Sequence, residues 1–134
     1  MNILFVCKYN KFRSQVAESY FNKINKNKKI KTFSGGIFPG RYPLDKLQSS
    51  IAKSMGIIIN KRPKPIPTTL LRKMDLIIDV ADNVPKSLFK FKKEYCGKTI
   101  AWNIPDEQEG RKDKIKNIIN MIKVKVENLI KELN

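Results

Sequence analysis

Residues 2–6 read NILFV, a short apolar run with no polar face, and such a run has to be buried on both sides. From Gln15 to about Asn25 the apolar positions Val16, Ala17, Tyr20, Phe21 and Ile24 recur at helical spacing. A fully buried strand followed at once by an amphipathic helix is the opening of a βαβ unit. The alternation then continues. Ile30 to Ser34 predicts a second strand, stopped by Gly35-Gly36, with a turn at Phe38-Pro39-Gly40. Leu44 to Met55 predicts a helix with Leu44, Leu47, Ile51 and Met55 on one side and Gly56 as its stop. Ile57 to Ile59 reads as a short extended link, and the proline-rich KRPKPIP (Lys61 to Pro67) as an exposed loop. Thr68 or Thr69 caps a short helix reaching Lys73.

Asp75 to Val80 predicts a third buried strand, Val84 to Phe91 a short helix with Pro85 near its first position, and Lys98 to Trp102 a fourth strand. The last helix runs from about Gly110 to Leu133. Its apolar stripe is Ile115, Ile118, Ile119, Ile122, Val126, Leu129, Ile130 and Leu133. The expected fold is therefore α/β: a single-domain, doubly wound, four-stranded parallel sheet with flanking helices, flavodoxin-like, over residues 1–134. Ligands of such sheets gather at the carboxyl ends of the strands. Cys7 follows the first strand and Asp106 follows the fourth, so both fall on that rim.

The segment CKYNKFRS, Cys7 to Ser14, joins the first strand to the first helix. A helix N-terminus offers unpaired backbone N–H groups and the positive end of a dipole, and an arginine there holds two oxygens of an oxyanion with its planar fork. The same field favours the thiolate of a cysteine facing it. On the residues alone two readings stay open. Cys7 is an inert core thiol with Arg13 in an ordinary first turn, or it is a nucleophile facing an anion held by Arg13. Ser14 is an N-cap candidate that can also donate its hydroxyl to the sulfur.

CKYNKFRS followed by QVAES resembles the N-terminal signature of the low molecular weight protein tyrosine phosphatases and of their relatives, the thioredoxin-coupled arsenate reductases. Cys7, Asn10, Arg13, Ser14, Ala17 and Glu18 match it, while Tyr9 replaces a glycine and Phe12 a frequent second cysteine. FSGG (Phe33 to Gly36), MDLII (Met74 to Ile78) and WNIPDE (Trp102 to Glu107) extend the likeness along nearly the whole chain. The resemblance implies cysteine-dependent hydrolysis of a phosphomonoester, phosphotyrosine among them, through a phosphocysteine.

In that scheme Cys7 is the nucleophile, Arg13 the anion clamp and Asp106 the general acid. Lys8, Tyr9, Asn10, Lys11, Phe12 and Ser14 form the substrate loop, with Asn10 in a left-handed conformation. No metal and no cofactor is expected. The family's proline after the acid is Glu107 here. Tyr9, Tyr42 and Phe38 are candidate walls for an aryl ring. Two alternatives remain: an arsenate reductase of the same fold, and a catalytically weak oxyanion- or phosphoprotein-binding module. Asp79 to Asn83, where the reductases carry a further cysteine, holds none, and Cys96 is the only other thiol.

Composition bounds the partners. The net charge is +16, and 23 of the 28 basic residues are lysine. Such a surface attracts polyanions non-specifically. No motif or interleaved aromatic stripe predicts a specific nucleic-acid site. The absence of histidine removes Cys-His catalysis and most zinc sites. No apolar run is long enough to insert in a membrane, and two distant cysteines do not make a disulfide scaffold. The expected location is the cytoplasm, and the expected partner a phosphorylated protein or a small phosphomonoester.

Overall fold

The computed structural model describes residues 1–39, 43–66, 68–89 and 97–134. Four strands, β1 (Asn2–Cys7), β2 (Lys31–Gly36), β3 (Leu76–Ala81) and β4 (Lys98–Ile104), form one sheet in the order β2-β1-β3-β4. Every pairing is parallel. The helices are α1 (Arg13–Ile24), α2 (Lys46–Ser54), the single turn α3 (Thr68–Leu71) and α4 (Lys112–Leu133), with a 3-10 turn at Lys86–Phe89. The expected α/β architecture is the observed one.

The alternation of side chains along buried strands divides the core in two. Ile3, Phe5, Ile78, Val80 and Trp102 meet Val16 and Phe21 of α1, Ile51 of α2, and the predicted stripe of α4. Leu4, Val6, Cys7, Ile77 and Ala81 face the other way, toward Leu71, Val84 and Phe89. Helices on both faces leave only the strand ends open. Because β2 and β3 lie on opposite sides of β1, the chain changes winding direction at the carboxyl end of β1, where Cys7 stands.

Several boundaries differ from expectation, each for a tertiary reason. Gly35 and Gly36 do not stop β2 but belong to it. A Cβ on Gly35 would stand 2.7 Å from Ile66 Cγ1, and one on Gly36 would stand 2.7 Å from the Tyr9 carbonyl carbon. The glycines are there because two loops cross the strand closely. Helix α1 starts at Arg13 rather than Gln15, and its N-cap is Phe12, not Ser14. The segment after Ile59 is less free than its prolines imply. The Lys64 carbonyl accepts from Gly36 N–H at 2.9 Å, and Pro65 bridges to Gly36. The expected helix over Val84–Phe91 is the short 3-10 turn; its residues 90 and 91, like Gly40, Tyr42, Pro67 and Cys96, lie outside the described residues.

Strand β4 runs two residues beyond the expected Trp102. Asp79 pairs with Ala101 and Ala81 with Ile104, so β4 carries one extra residue there. Asn103, at φ +54°, absorbs it. This bulge re-aims the strand end beside the site.

Candidate active site

The loop between β1 and α1 is shaped by Asn10. Its φ is +57°, a left-handed conformation that asparagine tolerates, and it is fully buried. Every polar group of the residue has a partner. The backbone N–H donates to Cys7 Sγ at 3.2 Å. The side-chain Nδ2 donates to Ser14 Oγ at 2.7 Å, and Oδ1 accepts from Lys64 N–H at 3.1 Å. Its carbonyl accepts from Gln15 Nε2 at 2.7 Å, and Gln15 also exchanges hydrogen bonds with the Lys61 backbone. Asn10 and Gln15 thus tie the loop to residues 61–64.

Cys7 Sγ lies 3.0 Å from Ser14 Oγ. Ser14 Oγ accepts from Asn10, and its hydroxyl is free to share its own hydrogen with the sulfur. The sulfur thus has one backbone N–H donated to it and one hydroxyl within hydrogen-bond reach. The first intrahelical bond is Val16 N–H to the Phe12 carbonyl. The N–H groups of Arg13, Ser14 and Gln15 consequently have no partner within the helix. They form the positive end of α1 next to Cys7.

Arg13, only 3 % exposed, is fixed from behind. Its Nη1 donates to the Ile104 carbonyl at 2.8 Å and lies 3.4 Å from Asp82 Oδ1, and its Nη2 donates to Asn83 Oδ1 at 3.1 Å. Arginine has five N–H donors, so the Nε edge remains for a ligand. The bulge at Asn103 is what presents the Ile104 carbonyl to Nη1. Asp106 stands on the same side, with Oδ2 at 3.9 Å from Arg13 Nη2. Its carboxylate is oriented by Glu107 N–H at 2.9 Å on Oδ1 and by Gln108 Nε2 at 3.2 Å on Oδ2.

The structure therefore joins Cys7, Asn10 and Ser14 in one hydrogen-bonded group and sets Asp106 beside Arg13, the residue next to Ser14. Tyr9 does not take a left-handed backbone, so tyrosine in place of glycine carries no strain there. Lys8 Nζ sits 5.3 Å from the centre of the Tyr9 ring, and Tyr9 and Lys11 border a cavity beside the loop. Phe12 is the exception among the loop residues, because its side chain is buried in the core with Phe5 and Val16. Phe38 is more than half exposed, and Tyr42 lies outside the described residues. Among the described residues no three His, Cys, Asp or Glu side chains are gathered to hold a metal ion.

Three other residues of the site were not singled out from sequence. Gln15, Asp82 and Asn83 hold the loop and Arg13. Behind them Glu18, almost fully buried, accepts from Ser34 Oγ at 2.9 Å and pairs with Lys61 at 3.2 Å. Lys64 Nζ donates to Ser34 Oγ at 3.3 Å. Burial lowers the Lys64 ammonium from its ordinary pKa, and the Glu18 carboxylate opposes that. Polar residues on the inner side of α1, where the spacing calls for apolar ones, were the available signal.

Asp79 is a second buried acid, on the face of β3 that carries Ile77 and Ala81. Neither carboxyl oxygen has a hydrogen-bond partner among the described residues. Burial pushes its pKa up from 3.8 to about 7; the Ala81 backbone and the Arg13 charge act weakly in the opposite direction, without hydrogen-bond geometry. The folded protein thus keeps a proton that the unfolded chain gives up near pH 4. Stability falls as pH rises from about 4 to 7 and is lowest, for this group, above 7. Asp79→Asn should raise the unfolding temperature at pH 8 relative to wild type more than at pH 5. Parallel melting profiles of the two proteins across that range would contradict this assignment.

Residues 2–134 match the profile of the family described as low molecular weight phosphotyrosine protein phosphatase. No curated protein matches the sequence. Among solved structures, the chain is similar to the low molecular weight protein tyrosine phosphatase of T. tengcongensis, at 26 % identity and a TM-score of 0.86, covering 98 % of this chain and 99 % of that one. It is similar to a YwlE mutant from Bacillus subtilis, at 21 % identity, TM-score 0.83, and 99 % and 98 % coverage. A further structure, described as YwlE arginine phosphatase, is a cysteine-to-serine mutant with a phosphorylated active-site serine. The arsenate reductase of Archaeoglobus fulgidus is similar at 22 % identity, TM-score 0.76, and 96 % and 98 % coverage.

Proposed function

The chain belongs to the low molecular weight phosphotyrosine protein phosphatase family, and from that membership we propose that it hydrolyses phosphomonoesters through a phosphocysteine on Cys7. The observation that carries this reading is the setting of Cys7 Sγ, which accepts from Asn10 N–H and lies 3.0 Å from Ser14 Oγ at the open end of α1.

In the first step Cys7 Sγ attacks phosphorus. The S–P bond forms, the P–O ester bond breaks, and the leaving oxygen takes a proton from Asp106. The Nε edge of Arg13 and backbone N–H groups of the phosphate-binding loop, Lys8 to Arg13, hold the equatorial oxygens. The Asn10 N–H serves the sulfur instead, so Asn10 positions rather than binds. In the second step water attacks the phosphocysteine while Asp106 takes its proton. The S–P bond breaks, phosphate leaves and the thiolate returns. Phosphorylated active-site serine in the YwlE mutant is the kind of intermediate this route requires.

The substrate class we propose is a phosphorylated protein or small phosphomonoester, with phosphotyrosine first, as in the family's name. The whole chain, residues 1–134, acts as one phosphatase-like domain. Among the described residues no helix is long and apolar enough to cross a membrane. A cytoplasmic location is proposed because a nucleophilic thiolate persists in a reducing compartment. The +16 charge adds non-specific attraction for polyanions.

Arsenate reduction is the second reading, supported by the fold shared with an arsenate reductase. It requires a thiol to resolve an arsenic adduct on Cys7, and Asp79 to Asn83 contain none. Thioredoxin-dependent turnover of arsenate, with no aryl phosphate hydrolysis, would establish it over the phosphatase.

Asp106→Asn tests the acid. Loss of the proton donor should slow hydrolysis of a phenyl phosphate by roughly 10²–10⁴-fold. An aryl phosphate with a strongly acidic leaving phenol needs little protonation and should lose much less. Equal losses on both would assign Asp106 to holding the loop instead of donating a proton.

A further inference from the structure

A cavity of about 300 Å³ opens beside the β1–α1 loop, between Tyr9 and Lys11, the start of α2 and the segment after β4. Asp45, Gln48 and Glu107 line it, and their hydrogen bonds leave acceptors over. Asp45 caps α2 by accepting Gln48 N–H at 2.9 Å on Oδ1. Glu107 Oε1 accepts Glu109 N–H at 2.7 Å. Gln48 is 2 % exposed; its Nε2 donates to the Glu107 carbonyl at 3.3 Å, and its Oε1 has no partner among the described residues. Reversing the amide would set two oxygens against each other, so the unmatched atom is the acceptor. A buried amide acceptor without a donor calls for a bound group that supplies one.

Charge points the same way. Asp45, Asp82, Asp106, Glu107 and Glu109 line this cavity and the one adjoining it, five of the chain's 12 acidic residues. The basic residues on the same walls are Lys11, Arg111 and Lys114; Arg111 is paired with Glu109, and Asp82 and Asp106 face Arg13, which leaves Asp45 and Glu107 as the carboxylates of the first cavity. In a protein of net charge +16, the cavity beside the loop is thus lined by two carboxylates, Asp45 and Glu107.

We propose that this cavity is a subsite for a basic side chain, a lysine or arginine next to the phosphorylated residue of a peptide substrate. The ammonium or guanidinium donates to Gln48 Oε1 and is held by the carboxylates of Asp45 and Glu107. The subsite rests on the phosphatase reading, because it deepens the same site. The long-range field of a +16 surface favours acidic peptides, so a preference for basic ones cannot come from net charge.

The test is kcat/KM for three phosphotyrosine peptides that differ only in a neighbouring lysine, glutamine or glutamate. The lysine peptide should exceed the glutamine peptide on the order of tenfold, with the glutamate peptide last. Asp45→Asn keeps the cap, since asparagine caps as well as aspartate, and should reduce the lysine-to-glutamine ratio several-fold. Gln48→Leu should reduce it as well. Equal rates for the lysine and glutamine peptides, or a ratio unchanged in Asp45→Asn, would mean that water alone fills the cavity and would overturn the subsite. Equilibrium binding of the same peptides to Cys7→Ser separates the two claims. The predicted order in binding without turnover by wild type would uphold the subsite and remove the phosphatase. A flat order in binding would remove the subsite whatever the turnover.

Discussion

Cys7→Ser will abolish phosphatase turnover, with kcat lower by roughly four orders of magnitude or more, equivalent to ~5.5 kcal/mol of transition-state stabilisation. The reason lies in the nucleophile. A serine hydroxyl fits the space of the thiol and meets the same two partners, Asn10 N–H and Ser14 Oγ. It does not ionise there as a thiol does, and no histidine exists anywhere in the chain to take its proton. The fold should survive, because Asn10, Gln15 and Lys64 hold the loop independently of the sulfur. Phosphate should therefore still bind to the variant, and the melting temperature should shift little. Steady-state hydrolysis of an aryl phosphate alongside phosphate titration is the check. Turnover within tenfold of wild type would take Cys7 out of the chemistry.

Arg13→Lys is the second large effect, and the buried surroundings of Arg13 make it severe. The guanidinium is held through both Nη groups, by the Ile104 carbonyl and Asn83. Lysine offers one compact ammonium, which cannot meet those fixed acceptors and two phosphoryl oxygens together. Losing this preorganised contact should lower kcat/KM on the order of 10²–10³-fold. It should also weaken phosphate binding, which Cys7→Ser does not, so the two variants differ in kind. A loss of only a few-fold for Arg13→Lys would mean that charge alone suffices.

Much of this site is readable in the order of residues, because strand β1, its loop and helix α1 are contiguous. Cys7, Asn10, Arg13 and Ser14 lie within eight positions, and local rules reach that far. The parallel order of strands then brings Asp106 to the same rim. Residues supplied by distant segments were not readable. Asp82 and Asn83 look like an ordinary turn after a strand, and they hold Arg13 only because β3 ends beside α1. Gly35 and Gly36 look like a stop signal. Their lack of a side chain instead admits Ile66 and the Tyr9–Asn10 backbone. The left-handed Asn103 has no sequence mark beyond its residue type, yet the bulge it permits aims the Ile104 carbonyl. Phe12 sits in the loop motif, but its ring is apolar and buried, so packing decided its direction.

The central claim is the covalent intermediate, and rapid-quench measurement with a phosphoryl-labelled aryl phosphate tests it most directly. The account predicts a burst of released phenol approaching one equivalent of enzyme in the first turnover, with the label recovered on the peptide containing Cys7. A reaction without a burst, in which no label is found on the protein while phosphate forms at the full rate, would contradict it.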